Sequence, residues 1–249
     1  MNNKSSSDAE SFDIVIPVGP SDRKIIEEQI AHTKKNVLGY RRIYLIPYDP
    51  SLTVPGCITI NENIFPFNKK MVENYLGRIY RCGWYFQQLL KLYAGKVVPD
   101  ILDRYLVIDS DTIFLKPTSF IEDGKCLYNY GKENHAPYFE HIKRLLPDLK
   151  RMDGSKSGIC HHMMFETKYI NEMFSKIETK HGDLFYNVFL KKVDKNHYHA
   201  SGASEYELYF NYMLKNHSDK IKIRRLKWLN CKKKKIEGDY DYASFHSWM

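Results

Sequence analysis

The sequence has few cysteines, and they are not arranged to build a cross-linked or zinc-bound scaffold. Its 249 residues include five cysteines, an odd number with no CxxC pair, which argues against a disulfide framework and a structural zinc knuckle. No run of about 18 apolar residues is present to span a bilayer. The polar N-terminal stretch MNNKSSSDAESF lacks the apolar segment of a secretory signal. These absences predict a cytoplasmic protein without a membrane span.

The composition is that of an ordinary globular chain, with 43% hydrophobic and 27% charged residues. No internal repeat, low-complexity tract or linker-like stretch divides it, so we expect a flexible tail at residues 1–11 and one domain at residues 12–249. Lys and Arg number 38 against 30 Asp and Glu, a formal net charge of +8, which favours an anionic partner. The basic stretch 224–235 is consistent with a solvated strand and loop. It is also consistent with a nucleic-acid patch, but Trp228 is its one aromatic residue.

The N-terminal part alternates between strand and helix patterns. Residues 12–18 form a β-branched run that predicts a buried strand, and residues 23–35 have helical spacing after a candidate cap at Ser21-Asp22. Residues 42–47 predict a second strand. Strand, helix and strand in this order form a βαβ unit, so the sequence predicts an α/β fold with a mostly parallel central sheet and helices on both faces.

Later segments extend this pattern. We expect a third strand at residues 57–60, mostly helix at residues 68–94, a strong strand at residues 105–108 and a helix that begins near Ser204. Two adjacent glutamines lie beside a broad apolar face in the second of these segments. At least one of Gln87 and Gln88 should therefore point toward a polar group.

Two acids follow the strong strand directly. Asp109 and Asp111 come where the strand passes into a loop, and ligands of open parallel sheets bind outside the carboxyl ends of the strands. An Asp-x-Asp at this place can hold a hard divalent cation through carboxylate oxygens and leave positions for phosphate oxygens. A solvated surface turn is the alternative. It explains less well why the motif lies between two apolar stretches.

Several segments resemble one enzyme family. VIDSDTIFLKP is similar to the metal-binding segment of GT-A glycosyltransferases, and FDIVIPVGPSD resembles their first strand and nucleotide loop. The segments RCGWYFQQ, SGICHHMMF and SEYELY narrow the resemblance to the DUF6492 group of GT-A-like transferases, which includes capsid-glycan glycosyltransferases of large DNA viruses. The matches run from residue 12 to residue 246. They imply a single GT-A domain that moves a sugar from a nucleotide diphosphate sugar, UDP-linked by resemblance, to a glycan hydroxyl.

The resemblance also implies roles for individual residues. Asp109 and Asp111 would bind Mn²⁺ or Mg²⁺, and His246 would be a further ligand or else a packed or exposed side chain; an imidazole ligand favours Mn²⁺. Contacts with the nucleotide sugar are expected from Pro17, Val18, Asp22, Arg81, Gln87 and Ser110. Contacts with the acceptor or the sugar are expected from His161, His162 and Trp84. Consecutive strand residues face opposite ways, so one of the two histidines should face the site while the other packs.

A catalytic base is expected at the start of the helix that follows Ser204. Glu205 lies in its first turn, where side chains can project toward a ligand, and its spacing from Asp111 resembles that of inverting GT-A enzymes. Glu207 is the rival candidate. Both could instead be solvated acids at a helix N-terminus. The alternatives for the whole protein are a retaining transferase and a non-enzymatic, basic nucleic-acid-binding protein.

Overall fold

The computed structural model describes residues 11–232 and 236–245. Most of the expected tail and His246 lie outside the described residues. The helices are α1 Ile26–Asn36, α2 Lys69–Leu76, α3 Cys82–Val97, α4 Ala136–Leu145, α5 Thr167–His181, α6 Phe185–Lys191 and α7 Glu205–Asn216. The strands are β1 Phe12–Val18, β2 Val37–Leu38, β3 Tyr40–Pro47, β4 Ile58–Thr59, β5 Arg104–Ile108, β6 Thr112–Phe114, β7 Thr118–Ser119, β8 Ile121–Glu122, β9 Lys125–Tyr128, β10 His162–Glu166, β11 Ile221–Ile223, β12 Trp228–Cys231 and β13 Tyr242–Phe245.

The central sheet has five strands in the order β10-β5-β1-β3-β4. β1 pairs in parallel with β3 and with β5, and β3 pairs in parallel with β4. β10 is antiparallel to β5, with His162 opposite Ile108. The predicted α/β fold with a mostly parallel central sheet is confirmed.

The first strand is buried along its whole length, as its apolar run predicts. It nevertheless contains one charge, because Asp13 is fully buried. The Asp13 carboxylate accepts hydrogen bonds from the Arg41 guanidinium and from the backbone N–H groups of Arg42 and Leu102. These bonds join β1 to β3 and to the segment that leads into β5.

The structure adds detail to two of the expected helical segments and corrects the start of one of them. Residues Pro20–Lys24 form a 3-10 turn and α1 starts only at Ile26, without a side-chain cap. The cap expected at Ser21-Asp22 was therefore wrong. The segment at residues 68–94 is mostly helix, as expected, but it is divided into two helices at Gly77, where the backbone has a φ of +79°, a conformation that residues other than glycine rarely adopt.

Two further features position the site. A buried apolar cluster contains residues from Phe12 to Tyr242. A smaller sheet of order β12-β13-β6 places the C-terminal strand antiparallel to β6, with Ser244 opposite Thr112.

Across the described ranges, no helix is long and apolar enough to cross a membrane.

Candidate active site

The strand order predicts a ligand crevice at the carboxyl edge of the central sheet. From β1 the chain moves outward to β3 and β4, then returns to the other side of β1 as β5. Where the direction of winding reverses in this way, the loops after the two strands separate and leave a ligand crevice. The loop after Val18 and the loop that begins at Asp109 border it.

A hydrogen bond joins these two loops. The Ser110 hydroxyl donates to Asp22 Oδ2 at 2.7 Å. Burial raises the pKa of Asp22, the bond from Ser110 opposes this rise, and the negative charges of Asp111 and Asp109 add to it. Three carboxylates therefore lie close enough to repel one another, an arrangement that favours a cation nearby.

Asp109 is held from three directions. Its Oδ1 accepts hydrogen bonds from Lys91 Nζ at 2.6 Å and from the Tyr206 hydroxyl at 2.8 Å. Its Oδ2 lies 3.4 Å from His161 Nδ1. Burial opposes ionisation, but Lys91 and His161 keep the pKa of Asp109 below its usual range. The side chain is 21% exposed, so this ionised group still borders the crevice.

Lys91 connects Asp109 to the start of α7. Its ammonium lies 2.7 Å from Glu205 Oε1, and the lysine side chain is only 5% exposed. Burial disfavours the ammonium, but the charges of Asp109 and Glu205 raise the pKa of Lys91. Because the nitrogen also lies 4.4 Å from the centre of the Tyr206 ring, two anions and a π-face surround this cation.

The two glutamates of α7 have different environments. Ser204 is the N-cap and accepts from the Glu207 backbone N–H, as expected. Burial raises the pKa of Glu205, and Lys91 opposes the rise. Glu207 is fully buried and accepts hydrogen bonds from Ser157 and Asn211. Glu207 therefore fixes the loop around Ser157, whereas Glu205 lies beside the strand-end acids.

Asp111 is supported by the C-terminal strand. Its Oδ1 accepts a hydrogen bond from the Ser244 hydroxyl at 3.1 Å, and its backbone carbonyl accepts from the Phe245 N–H at 2.9 Å. Within residues 11–232 and 236–245, no group of three or more His, Cys, Asp or Glu side chains is arranged to hold a metal ion. These residues fit a divalent cation only in part, with Asp109 and Asp111 as candidate ligands.

A cavity of about 220 Å³ opens at the ends of β1 and β3. Its walls are Val18, Gly19, Pro20, Arg23, Pro47, Tyr48, Asp49 and Leu52. The Tyr48 ring is 55% exposed there, and Arg23 pairs with Asp49. The exposed ring can stack on a planar polar ring of a ligand, and the charged pair beside it can form hydrogen bonds with that ligand.

The polar residues singled out in the α3 region contact three different parts of the protein. The Gln87 amide donates to the Pro17 carbonyl at 3.3 Å, and Gln88 accepts from the Glu205 backbone N–H at 3.1 Å. Both glutamines therefore meet polar groups. Arg81 donates to the His199 carbonyl and its guanidinium lies 5.3 Å from the Trp84 ring centre. Contacts of Arg81 and Gln87 with the nucleotide sugar, and of Trp84 with the acceptor or the sugar, stay predictions.

The histidine pair has divergent surroundings. His161 has a φ of +61° and faces Asp109, while the ring of His162 is 3% exposed and packs between Phe114, Phe120 and Tyr242. Burial lowers the pKa of His162 to about 3, so this ring is neutral at physiological pH. Contact of either histidine with a sugar stays a prediction.

Sequence reasoning missed three side chains of the site: Lys91, Tyr206 and Ser244. Lys91 carried a usable signal, since it is a charge within the apolar face of QQLLKLYA, and buried lysines need anionic partners. Tyr206 and Ser244 carried none, because their partners are distant in sequence.

Comparison with known proteins identifies a family and solved structures of similar fold. A family described as "Family of unknown function (DUF6492)" matches residues 54–236, most of the chain. The crystal structure of mouse xyloside xylosyltransferase 1 in its apo form is similar, with 9% sequence identity, a TM-score of 0.46, and 95% of this chain and 98% of that chain covered. No curated protein matches the sequence significantly. The family description assigns no activity, so the function has to come from the residues of the site.

Proposed function

The chain belongs to the DUF6492 family, and we propose that it is a glycosyltransferase that moves a sugar from a nucleotide diphosphate sugar to a glycan hydroxyl. The main support is the group of acids Asp22, Asp109 and Asp111 at the reversal point of a parallel sheet. Such edges bind ligands, and the acids alone would repel a diphosphate. The acids suit a diphosphate that binds together with a cation, as the resemblance of the Asp-x-Asp segment implies.

For the donor we propose a UDP-linked sugar. The cavity at the ends of β1 and β3 has the exposed Tyr48 ring for stacking on a base and Asp49 as an acceptor for a base N–H. Val18 lines this cavity, and the sequence resemblance implies that Val18 contacts the nucleotide. A capsid glycan is the acceptor that the sequence resemblance implies, and it stays a prediction.

We propose Mn²⁺ or Mg²⁺ as the cofactor, held by Asp109 and Asp111 together with His246. His246 lies outside the described residues, but its neighbour Phe245 donates to the backbone carbonyl of Asp111. When bound, a divalent cation offsets the charge of the leaving diphosphate. The chain itself holds Asp109 ionised through both Lys91 and His161, and it orients Asp111 through Ser244.

Glu205 is the proposed base of an inverting displacement. In that reaction the acceptor oxygen attacks the anomeric carbon, the bond from this carbon to the diphosphate oxygen breaks, and the hydroxyl proton passes to the Glu205 carboxylate. Burial raises the pKa of Glu205, and a general base works best when its pKa lies near the working pH. The burial also favours a second possibility, since a carboxylate only 4% exposed is hard for an acceptor to reach. That second possibility is a retaining transferase, in which the anomeric configuration is kept and Glu205 is not the base.

The test is thermal unfolding with a panel of nucleotide sugars, with and without Mn²⁺. A ligand that binds only the native state stabilises it by about 2.7 kcal/mol at a hundredfold excess over Kd. We expect stabilisation by a UDP-sugar that depends on Mn²⁺ and disappears in Asp111→Ala. Asp219→Ala, which removes an exposed carboxylate paired with Lys220, is the matched control. A wild type that no nucleotide sugar stabilises would contradict the proposed function.

A further inference from the structure

The ion pair between Lys91 and Glu205 has a geometry that bears on the proposed reaction. The Lys91 ammonium is shared between Glu205 Oε1 at 2.7 Å and Asp109 Oδ1 at 2.6 Å. Contacts of this length between charged groups are strong and directional. One buried cation therefore joins the donor side of the site to its proposed base.

The two acids depend on this cation to different degrees. Asp109 has other donors, namely the Tyr206 hydroxyl at 2.8 Å and His161 Nδ1 at 3.4 Å. In the part of the chain that the structure describes, Lys91 is the one side chain that donates to the Glu205 carboxylate. Loss of Lys91 would leave Asp109 held but Glu205 without an orienting partner.

Helix α3 fixes Glu205 twice. Gln88 accepts the Glu205 backbone N–H at 3.1 Å, and Lys91, three residues further along the same helix face, binds the carboxylate. The backbone and the side chain of one residue are thus tied to one rigid element. A base must lie within hydrogen-bond reach of the proton that it accepts, and this double attachment limits where its carboxylate can be.

We infer that Lys91 is a positioning residue of the proposed reaction, which acts by holding the Glu205 carboxylate beside the strand-end acids. This inference rests on the proposed function. Lys91 does not exchange a proton with substrate; the acceptor proton still passes to Glu205. A lysine that only balances buried charge would instead affect folding and leave turnover of the folded protein unchanged.

A double-mutant cycle with Lys91→Met and Glu205→Gln tests the inference in the full chain. We measure UDP affinity by calorimetry, and kcat and KM for release of UDP from the UDP-sugar that the wild type uses. Each single variant should lower kcat by roughly two to four orders of magnitude, with the Kd for UDP changed by less than about threefold. The double variant should lose no more than the worse single variant, because groups that act as a unit are non-additive. Lys96→Met, on the exposed side of the same helix, is the control and should match the wild type.

Losses that multiply in the double variant would overturn the inference, as would a folded Lys91→Met variant with wild-type kcat. If Lys91→Met does not fold, the double variant still tests the inference. Replacement of Lys91 leaves two carboxylates without their counter-charge, and the Glu205→Gln substitution removes one of them. The kcat of the double variant should then equal that of Glu205→Gln, and a further drop overturns the inference. A wild type that neither binds UDP nor releases it from any UDP-sugar contradicts the proposed function instead.

Discussion

At the scale of single residues, Glu205 and Glu207 provide a matched pair. Glu205→Gln keeps the shape of the side chain but cannot accept a proton, so kcat should fall by roughly two to four orders of magnitude while UDP affinity survives. Since burial raises the pKa of Glu205 above the usual 4.5, wild-type kcat should rise with pH over a range that lies above this value. Steady-state kinetics from acid to neutral pH measures both effects.

Glu207→Gln is the internal control for this prediction. Its carboxylate accepts from Ser157 and Asn211, and an amide cannot accept from both as a carboxylate does. The loss should therefore be in stability, about 1 to 3 kcal/mol, with a much smaller loss of kcat. A larger kcat loss in Glu207→Gln, or a product whose NMR spectrum shows retained anomeric configuration, would contradict Glu205 as base.

The burial of His162 predicts that the folded protein loses stability in acid. Its pKa is about 3 in the folded protein because of burial, against about 6.5 when unfolded. Between these values the unfolded chain binds a proton that the folded chain does not, so stability falls as the pH drops from about 6.5 toward 3, by up to about 1.4 kcal/mol per pH unit.

Urea unfolding of wild type and His162→Leu at pH 7 and pH 5 measures this effect. The variant should lose less stability between the two pH values, and any cost of the substitution that does not depend on pH cancels in the comparison. Equal losses in the two proteins would contradict a neutral, buried His162.

At the scale of elements, the loop at residues 157–161 packs closely on α7. A Cβ at Gly158 would lie 2.7 Å from the Tyr206 carbonyl oxygen and from Phe210 Cβ, distances that force a shift. Gly158→Ala should therefore cost about 1 to 3 kcal/mol, and it should lower kcat because Tyr206 also binds Asp109.

Gly154→Ala is the control for this substitution, since nothing lies within 4 Å of its added Cβ. Chemical denaturation and kinetics of the two variants separate the effects. Equal stability of both alanine variants would show that the loop moves away from α7 without cost.

At the scale of the whole molecule, the net charge of +8 should assist an anionic donor. Cys231 pairs with Phe245, whose backbone N–H binds Asp111, so the lysine run that starts at Lys232 follows a strand beside the site. Lysines 233–235 lie outside the described residues. Replacement of all four lysines by serine should weaken the dependence of KM on salt with little loss of kcat.

Arginines at the same four positions are the control, because they keep the charge and should keep the salt dependence. A complete loss of turnover in the serine variant would show that the stretch takes part in the chemistry. Kinetics at several salt concentrations distinguishes these outcomes.

Several features of the protein followed from its sequence because they depend on neighbouring residues. The burial of β1, the two acids directly after β5 and the Ser204 cap of α7 all come from apolar runs and cap chemistry over a few positions. The same local patterns gave a wrong cap at Ser21-Asp22 and did not indicate the break between two helices at Gly77. In the first case a tertiary hydrogen bond engaged the side chain, and in the second a positive φ ended the helix.

Only the tertiary structure decided how the acids are held. The bonds from Ser110 to Asp22, from Lys91 to Glu205 and from Ser244 to Asp111 join residues that are 88, 114 and 133 positions apart. Local patterns do not encode such contacts, because they arise where the winding of the sheet brings separate loops and helices together. Helix α3 also packs against α7, so that a lysine in an apolar helix face meets two carboxylates.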